Sequence, residues 1–258
     1  MFKINGKIKL FAFDLDGTIY VGENLLPGAA ALITYLKEKY KVIFFTNNSS
    51  KTRKEILQKL NRLGIDCALA DIFTSSSAAA IYLKENRIGN IYVIGSKSFS
   101  RELKNKGCKI VDKKFAKNLV VGLDIDFNYD KIAAALSILS RGGKFIACNE
   151  DSFFPMGKKN FLPGCGAMVG AISAAVGKKP DCVVGKPNTY MLSKIAQAFR
   201  VKNNEIVVVG DSYESDCAMA LNYKSKAVLI GRAKVVANKN IVTMGGLQEL
   251  LQCIRREQ

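Results

Sequence analysis

Two carboxylates stand two residues apart in Asp14-Leu15-Asp16-Gly17-Thr18. They close a strand expected over Lys9–Leu15, where residues two apart point to the same face. Asp14 and Asp16 should then lie side by side, with Leu15 turned into the core. Like charges that close are costly unless a proton or a cation lies between them. A hard, oxygen-preferring cation such as Mg²⁺ relieves the repulsion. A polar strand end followed by an Asp-Gly turn is the alternative reading.

Three further stretches carry polar groups at the ends of apolar runs. Thr46-Asn47-Asn48-Ser49 follows Val42–Phe45. Its hydroxyls and amides can hold phosphate oxygens ahead of a helix, or cap that helix, and the two roles are compatible. Gly185-Lys186-Pro187 sets one lysine in a tight loop after Val183-Val184, so its direction is constrained. Gly210-Asp211-Ser212-Tyr213-Glu214-Ser215-Asp216 follows the run Ile206–Val209. Gly210 permits a sharp turn. Asp216 falls in a first helical turn, where a carboxylate complements the helix dipole. Turn and cap roles alone also account for Asp211 and Asp216.

The elements that must position these residues alternate. Strands are expected at Lys9–Leu15, Val42–Phe45, Ile72–Thr74, Ile206–Val209 and Ala227–Ile230. Helices are expected at about 28–40, Thr52–Leu63, Asn188–Phe199, Glu214–Leu221 and Gly246–Arg256. Continuous Val/Ile/Phe strands between helices imply an α/β fold, a Rossmann-like, doubly wound parallel sheet covered on both faces. Ligands of such sheets bind beyond the carboxyl ends of the strands, where all the polar stretches above fall. The middle has its own alternation: helices at Ser77–Lys84, Phe99–Asn105, Asp130–Ser140 and Gly166–Val176, with strands at Ile91–Ile94, Val120–Leu123 and Phe145–Ala147. It reads as a large α/β domain over 79–179, inserted into a core made of 1–78 and 180–258.

Composition excludes several chemistries. The chain of 258 residues has no His, which removes Ser-His and Cys-His catalysis and makes a zinc site improbable. The seven cysteines are scattered, without a C-x-x-C pair, and are expected to be reduced and mostly buried. No apolar run reaches the roughly 18–20 residues of a membrane span, and the N-terminus is too polar for a signal peptide, so a cytoplasmic protein with no membrane partner is expected. The formal charge of +17 is spread along the chain, with no Arg cluster and no nucleic-acid module. Nucleic acid is therefore not the expected partner, and small anions are.

The ordered set Asp-x-Asp-Gly-Thr, Thr-Asn-Asn-Ser, Gly-Lys-Pro and Gly-Asp-x-x-x-x-Asp resembles the haloacid dehalogenase superfamily. The insertion is similar to the NagD-like, para-nitrophenylphosphatase branch, through Val121-Gly122-Leu123-Asp124, Phe145–Asp151 and Pro163-Gly164-Cys165-Gly166. The resemblance implies a Mg²⁺-dependent phosphatase acting on a small phosphorylated metabolite: a nucleotide, sugar phosphate, phosphoglycolate or pyridoxal phosphate. It implies Asp14 as nucleophile, forming an aspartyl-phosphate, and Asp16 as general acid and base. Thr46 would bind the transferring phosphoryl and Lys186 would neutralise its charge. Asn47 and Asn48 would bind phosphate, with Asn149 and Asp151 at the substrate. Asp14, the Asp16 carbonyl, Asp211 and Asp216 would hold the metal. An acid at position 16 favours phosphatase or phosphomutase over dehalogenase, and the large mixed insertion favours phosphatase. Half-protonation of Asp16 near neutral pH needs a rise of about 3 units, about 4 kcal/mol. Phe153 or Phe154 could stack on an aromatic leaving group. A homodimer is compatible with the resemblance, and no sequence pattern decides it.

Overall fold

The computed structural model describes residues 7–155, 161–231 and 238–256. The chain divides into two compact units. The first comprises Met1–Thr46, Leu57–Phe73 and Lys186–Gln258; the second comprises Asn47–Ile56 and Thr74–Gly185. The expected insertion 79–179 falls inside the second unit, which also takes in a few flanking residues and the separate segment Asn47–Ile56.

The first part of the chain supplies β1 (Leu10–Asp14), the short pair β2 (Tyr20–Val21) and β3 (Asn24–Leu25), α1 (Ala29–Lys37), β4 (Lys41–Thr46), α2 (Arg53–Arg62) and β5 (Ile72–Thr74). The middle supplies α3 (Ser75–Glu85), β6 (Ile91–Ile94), α4 (Lys97–Asn105), β7 (Asn118–Val121), α5 (Tyr129–Ser140), β8 (Phe145–Ala147), β9 (Phe153–Pro155), β10 (Phe161–Pro163), α6 (Cys165–Val176) and β11 (Cys182–Val183). The last part supplies α7 (Tyr190–Phe199), β12 (Ile206–Gly210), a π-helical turn (Tyr213–Cys217), α8 (Ala218–Asn222), β13 (Lys226–Ile230), β14 (Ile241–Met244) and α9 (Leu247–Arg256).

The first unit is built on a six-stranded sheet in the order β14-β13-β12-β1-β4-β5. Every pairing from β14 to β4 is parallel. The strands have no polar face: Phe11, Phe13, Phe44 and Phe45 are fully buried, as are all four residues Ile206–Val209. Such strands must be covered on both sides, as parallel sheets are. The closing helix α9 does part of this with Leu247, Leu250, Leu251 and Ile254, buried at helical spacing.

The order of strands fixes where a ligand binds. The chain runs outward from β1 to β4 and β5, then returns to β12 beside β1 and runs the other way to β14. The switch lies between β1 and β12, and the crevice of a doubly wound sheet opens at the carboxyl ends of that strand pair. Asp14 is the last residue of β1, and Gly210 is the last of β12.

The second unit holds a four-stranded parallel sheet in the order β11-β8-β7-β6. The segment Asn47–Ile56 is bound to it by side chains: Arg53 pairs with the buried Glu102 at 2.9 Å, Ser98 donates to Glu55, and the Leu123 N–H donates to Ser49 Oγ. The antiparallel hairpin β9–β10 displays Phe153 against Phe161, with rings edge to face 5.0 Å apart and mostly exposed. Cys67, Cys148, Cys165 and Cys217 are buried, and among the described residues no cysteine is in a disulfide. Among the described residues, no helix is long and apolar enough to cross a membrane.

Candidate active site

At the switch point the last residue of β1 and residues that follow β12 come to one cluster. The Lys186 Nζ donates to Asp14 Oδ1 at 2.6 Å and to Asp216 Oδ1 at 2.7 Å. All three side chains are nearly or fully buried. Asp211 completes the group: one carboxylate oxygen each from Asp14, Asp211 and Asp216 lies within 4.8 Å of the others. Thr18 donates its hydroxyl to Asp211 Oδ1 at 3.3 Å. The Lys186 ammonium also sits 4.9 Å from the centre of the Phe45 ring.

Local sequence explains how these groups are delivered. After Gly210 the backbone enters a π-helical turn instead of the α-helix expected from Glu214. Ser212 caps it, accepting from the Ser215 N–H, while its own N–H donates to Asp216 Oδ2 at 3.1 Å. Extra residues in a helical turn re-aim side chains, which is why such turns recur at sites. Gly210 leaves no room for a side chain, because a Cβ there would strike the Asp216 carboxyl. Gly17 is needed twice over. Its φ of +91° is left-handed, and a Cβ would collide with the Asp211 carboxylate.

Asp16 departs from the expected geometry. The strand stops at Asp14, and Asp16 lies beyond it in the turn made by Gly17. Strand alternation therefore does not relate the two: Asp14 is 4% exposed, whereas Asp16 is open to solvent. Thr46 ends β4 and is buried.

The remaining candidates group separately, within the second unit. The Asn47 side-chain amide donates to both carboxylate oxygens of Asp151 at 3.0 Å. The Asn47 carbonyl accepts from Asn149 Nδ2 and from Ser75 Oγ, each at 2.7 Å. Asn48 Oδ1 accepts from the Ser50 N–H, the Ser50 hydroxyl and the Lys51 N–H, an Asx turn. The helix cap is instead Thr52, in a reciprocal box with Glu55. Sequence reasoning did not assign Thr18, Ser75 or Tyr20. Thr18 was visible in the motif itself; Ser75 has no local signal, since its partner is 28 residues away.

Comparison with known proteins gives the arrangement a family. Residues 11–109 match the model of haloacid dehalogenase-like hydrolases, and 183–237 match a second model of HAD-like hydrolases. An acid sugar phosphatase of Staphylococcus saprophyticus is 33% identical over 216 residues, 83% of each chain. A p-nitrophenyl phosphatase from Archaeoglobus fulgidus superposes with a TM-score of 0.88 at 26% identity, covering 95% of this chain and 99% of that one. A nagD protein superposes with a TM-score of 0.90 at 29% identity, covering 97% and 100%. The chain belongs to the haloacid dehalogenase-like hydrolases. Within them it sits in the NagD-like phosphatase branch, and its class is that of a phosphoric monoester hydrolase.

The electrostatics of this phosphatase site follow from one cation among three carboxylates. Burial raises the Asp14 carboxyl well above its ordinary range, opposed by Lys186 and reinforced by Asp216 and Asp211. Burial works against the Lys186 ammonium, but Asp14 and Asp216 outweigh it and hold the lysine above its usual range. Asp211 is open to solvent on one side, yet the protein around it displaces enough water to raise its carboxyl, and Asp216 adds to the rise. With every group ionised the cluster carries an excess of two negative charges. An all-oxygen donor set with that surplus fits a hard divalent cation.

Proposed function

We propose that the chain hydrolyses small phosphate monoesters with Mg²⁺, through an aspartyl-phosphate on Asp14. The observation that carries this reading is the buried Asp14 carboxylate, fixed by Lys186 at 2.6 Å beside Asp211 and Asp216. A carboxylate so placed is dehydrated and directed, as a nucleophile must be. Asp14 attacks phosphorus while the ester oxygen leaves with its bonding electron pair and takes a proton from Asp16. Asp16 then removes a proton from water, which attacks phosphorus and frees Asp14 and inorganic phosphate. The solvent exposure of Asp16 suits a group that must meet both leaving oxygen and water.

Lys186 holds the nucleophile's charge, and Thr46, at the end of the neighbouring β4, offers its hydroxyl to the phosphoryl oxygens. Asn47, Asn48, Asn149 and Asp151 are assigned to phosphate and substrate; for Asn47 the support is its place next to Thr46 and the network that fixes it. Asp14, Asp211, Asp216 and the Asp16 carbonyl would hold Mg²⁺, which supplies charge neutralisation of the phosphoryl oxygens when bound. Neutralisation matters most, because nucleophile and substrate are both anions.

The names of the relatives point to sugar phosphates and to p-nitrophenyl phosphate as first substrates to try. In the test, purified protein with Mg²⁺ releases phosphate from p-nitrophenyl phosphate, and Asp14→Asn abolishes release while the fold persists by circular dichroism. Undiminished turnover in excess chelator, or in Asp14→Asn, sinks the reading. A panel of sugar phosphates, nucleotides, phosphoglycolate and pyridoxal phosphate, ranked by kcat/KM, then identifies the ester.

A further inference from the structure

The hairpin β2–β3 follows directly on Asp16-Gly17-Thr18-Ile19 and is tied to it through backbone bonds. The Gly17 N–H donates to the Tyr20 carbonyl at 2.8 Å, the Tyr20 N–H donates to the Leu15 carbonyl, and Asp16 and Tyr20 form an isolated bridge. The backbone at Asp16 therefore goes where Tyr20 goes. Each strand of the hairpin has only two residues, and Val21 and Glu23 are largely exposed. A two-stranded ribbon this short does not hold its shape unaided.

Its anchor is α2. The Lys59 side chain is buried, with its Nζ 3.5 Å from the centre of the buried Tyr20 ring and 3.7 Å from Glu23 Oε1. Arg62, one turn on, meets Glu23 Oε2 at 3.2 Å. A buried ammonium is costly unless compensated, and here the ring face and the hairpin carboxylate are among its compensation. Burial raises the Tyr20 phenol far above its ordinary range, with Asp16, Asp14 and Glu23 adding to the rise.

We propose that Lys59 is a positioning residue for the proton-transfer role of Asp16, acting through the Tyr20 ring and the β2–β3 hairpin. The inference rests on the assignment of Asp16 as general acid made above. In that step the Asp16 proton passes to the departing ester oxygen as the P–O bond breaks. Water activation by Asp16 is common to every ester, so the selectivity belongs to kcat/KM, which reports steps only up to loss of the leaving group: there, misplacing Asp16 should penalise esters whose leaving oxygen needs the proton and spare those that leave readily as anions.

The test compares an alkyl phosphate, glycerol phosphate, with p-nitrophenyl phosphate in the Mg²⁺-loaded full chain. Lys59→Met, which keeps the stem and removes the charge, should lower kcat/KM on glycerol phosphate about tenfold or more, within the range general acids contribute. On p-nitrophenyl phosphate the loss in kcat/KM should be under about threefold. Tyr20→Leu should reproduce the selective loss, and Lys59→Arg, which can also lie over the ring, should recover most of it. Glu23→Lys, on the exposed tip, reads the same contact without touching a buried side chain and should show the loss in the same direction. Equal losses on the two esters, or none on either, overturn the proposal. Asp16→Asn serves as reference: if it is selective and the Lys59, Tyr20 and Glu23 variants are not, the Lys59 inference alone fails. If Asp16→Asn shows no selectivity, the acid assignment fails and this inference with it.

Discussion

Removal of Lys186 gives the most quantitative test of the cluster. Its Nζ lies 2.6 Å from Asp14 Oδ1 and 2.7 Å from Asp216 Oδ1, and none of the three side chains is more than 6% exposed. At an effective dielectric of about 20, each contact is worth about 6 kcal/mol before desolvation is subtracted. Lys186→Met removes that attraction and leaves the carboxylates facing one another within 4.8 Å. Two full charges at that separation repel by about 3.5 kcal/mol at the same dielectric. The protein can escape by protonating one of them. From an ordinary value of 3.8, that costs about 5 kcal/mol near pH 7.5. The expected loss of stability is thus about 3.5–5 kcal/mol near neutrality, in line with broken buried pairs. It corresponds to about 7–10 °C in melting temperature for a chain of this size.

The pH dependence has a definite sign. Burial already raises the Asp14 carboxyl in the wild type, and Lys186 opposes the rise; without Lys186 the folded-state value climbs further above the unfolded one, so the folded variant holds its proton to higher pH. The penalty is absent below about pH 4 and grows as pH rises toward the folded value. Near pH 4.5 the protonation route costs only about 1 kcal/mol. Urea unfolding of wild type and Lys186→Met in Mg²⁺-free buffer at about pH 4.5, 6 and 7.5 reads this directly. A gap that stays constant over that range, or one below about 1 kcal/mol at neutrality, refutes the electrostatic account of the site.

Two further outcomes follow from the same geometry. Because burial raises the Asp14 and Asp211 carboxyls, Mg²⁺ must displace protons to bind, so its affinity falls as pH falls; calorimetry in buffers of different ionisation enthalpy should show proton release near pH 6, and none would count against the assignment. Gly17→Ala forces a left-handed φ and drives a Cβ into the Asp211 carboxylate, so it should cost about 1–3 kcal/mol of stability and weaken Mg²⁺ binding; unchanged melting and Mg²⁺ affinity would show that the turn is free to adapt.

The long apolar strands were legible because burial on both faces leaves an uninterrupted run, as in Ile206–Val209 beside Leu10–Phe13. Short elements were legible where they formed an apolar run, as at Ile72–Thr74, Ile91–Ile94 and Phe145–Ala147, and otherwise were not. The hairpins β2–β3 and β9–β10 are too short for alternation to show, and β14 follows a polar stretch that hides it. Lys186 was one lysine among many, and no local pattern announces partners 172 and 30 residues away. The different exposure of Asp14 and Asp16 was not legible, because β1 ends at Asp14 and Asp16 lies beyond it. Alternation holds only within the strand, and Asp16 already belongs to the bridge with Tyr20 that opens the turn. Lys59 was equally invisible: its polar character reads as surface, and only the fold puts it over Tyr20.

The different exposure of the two aspartates suits the two roles proposed for them. A nucleophile must be ionised and stripped of water, and Asp14 is buried against an ammonium that keeps a negative charge tolerable there. A proton carrier must exchange with water and reach the leaving oxygen, and Asp16 is exposed. Had both stayed on the strand, each would have shared the other's environment, and their mutual repulsion would have raised one at the expense of the other. The end of β1 at Asp14 breaks that symmetry. The environment of Asp14 is then set by Lys186, Asp211 and Asp216 at the switch point, and that of Asp16 by the turn and the hairpin behind it. Substitutions at Lys186 should therefore act on the charge state of the nucleophile, and substitutions at Lys59 on proton delivery. The two should combine additively in a double mutant, because they act on different aspartates through contacts that share no side chain.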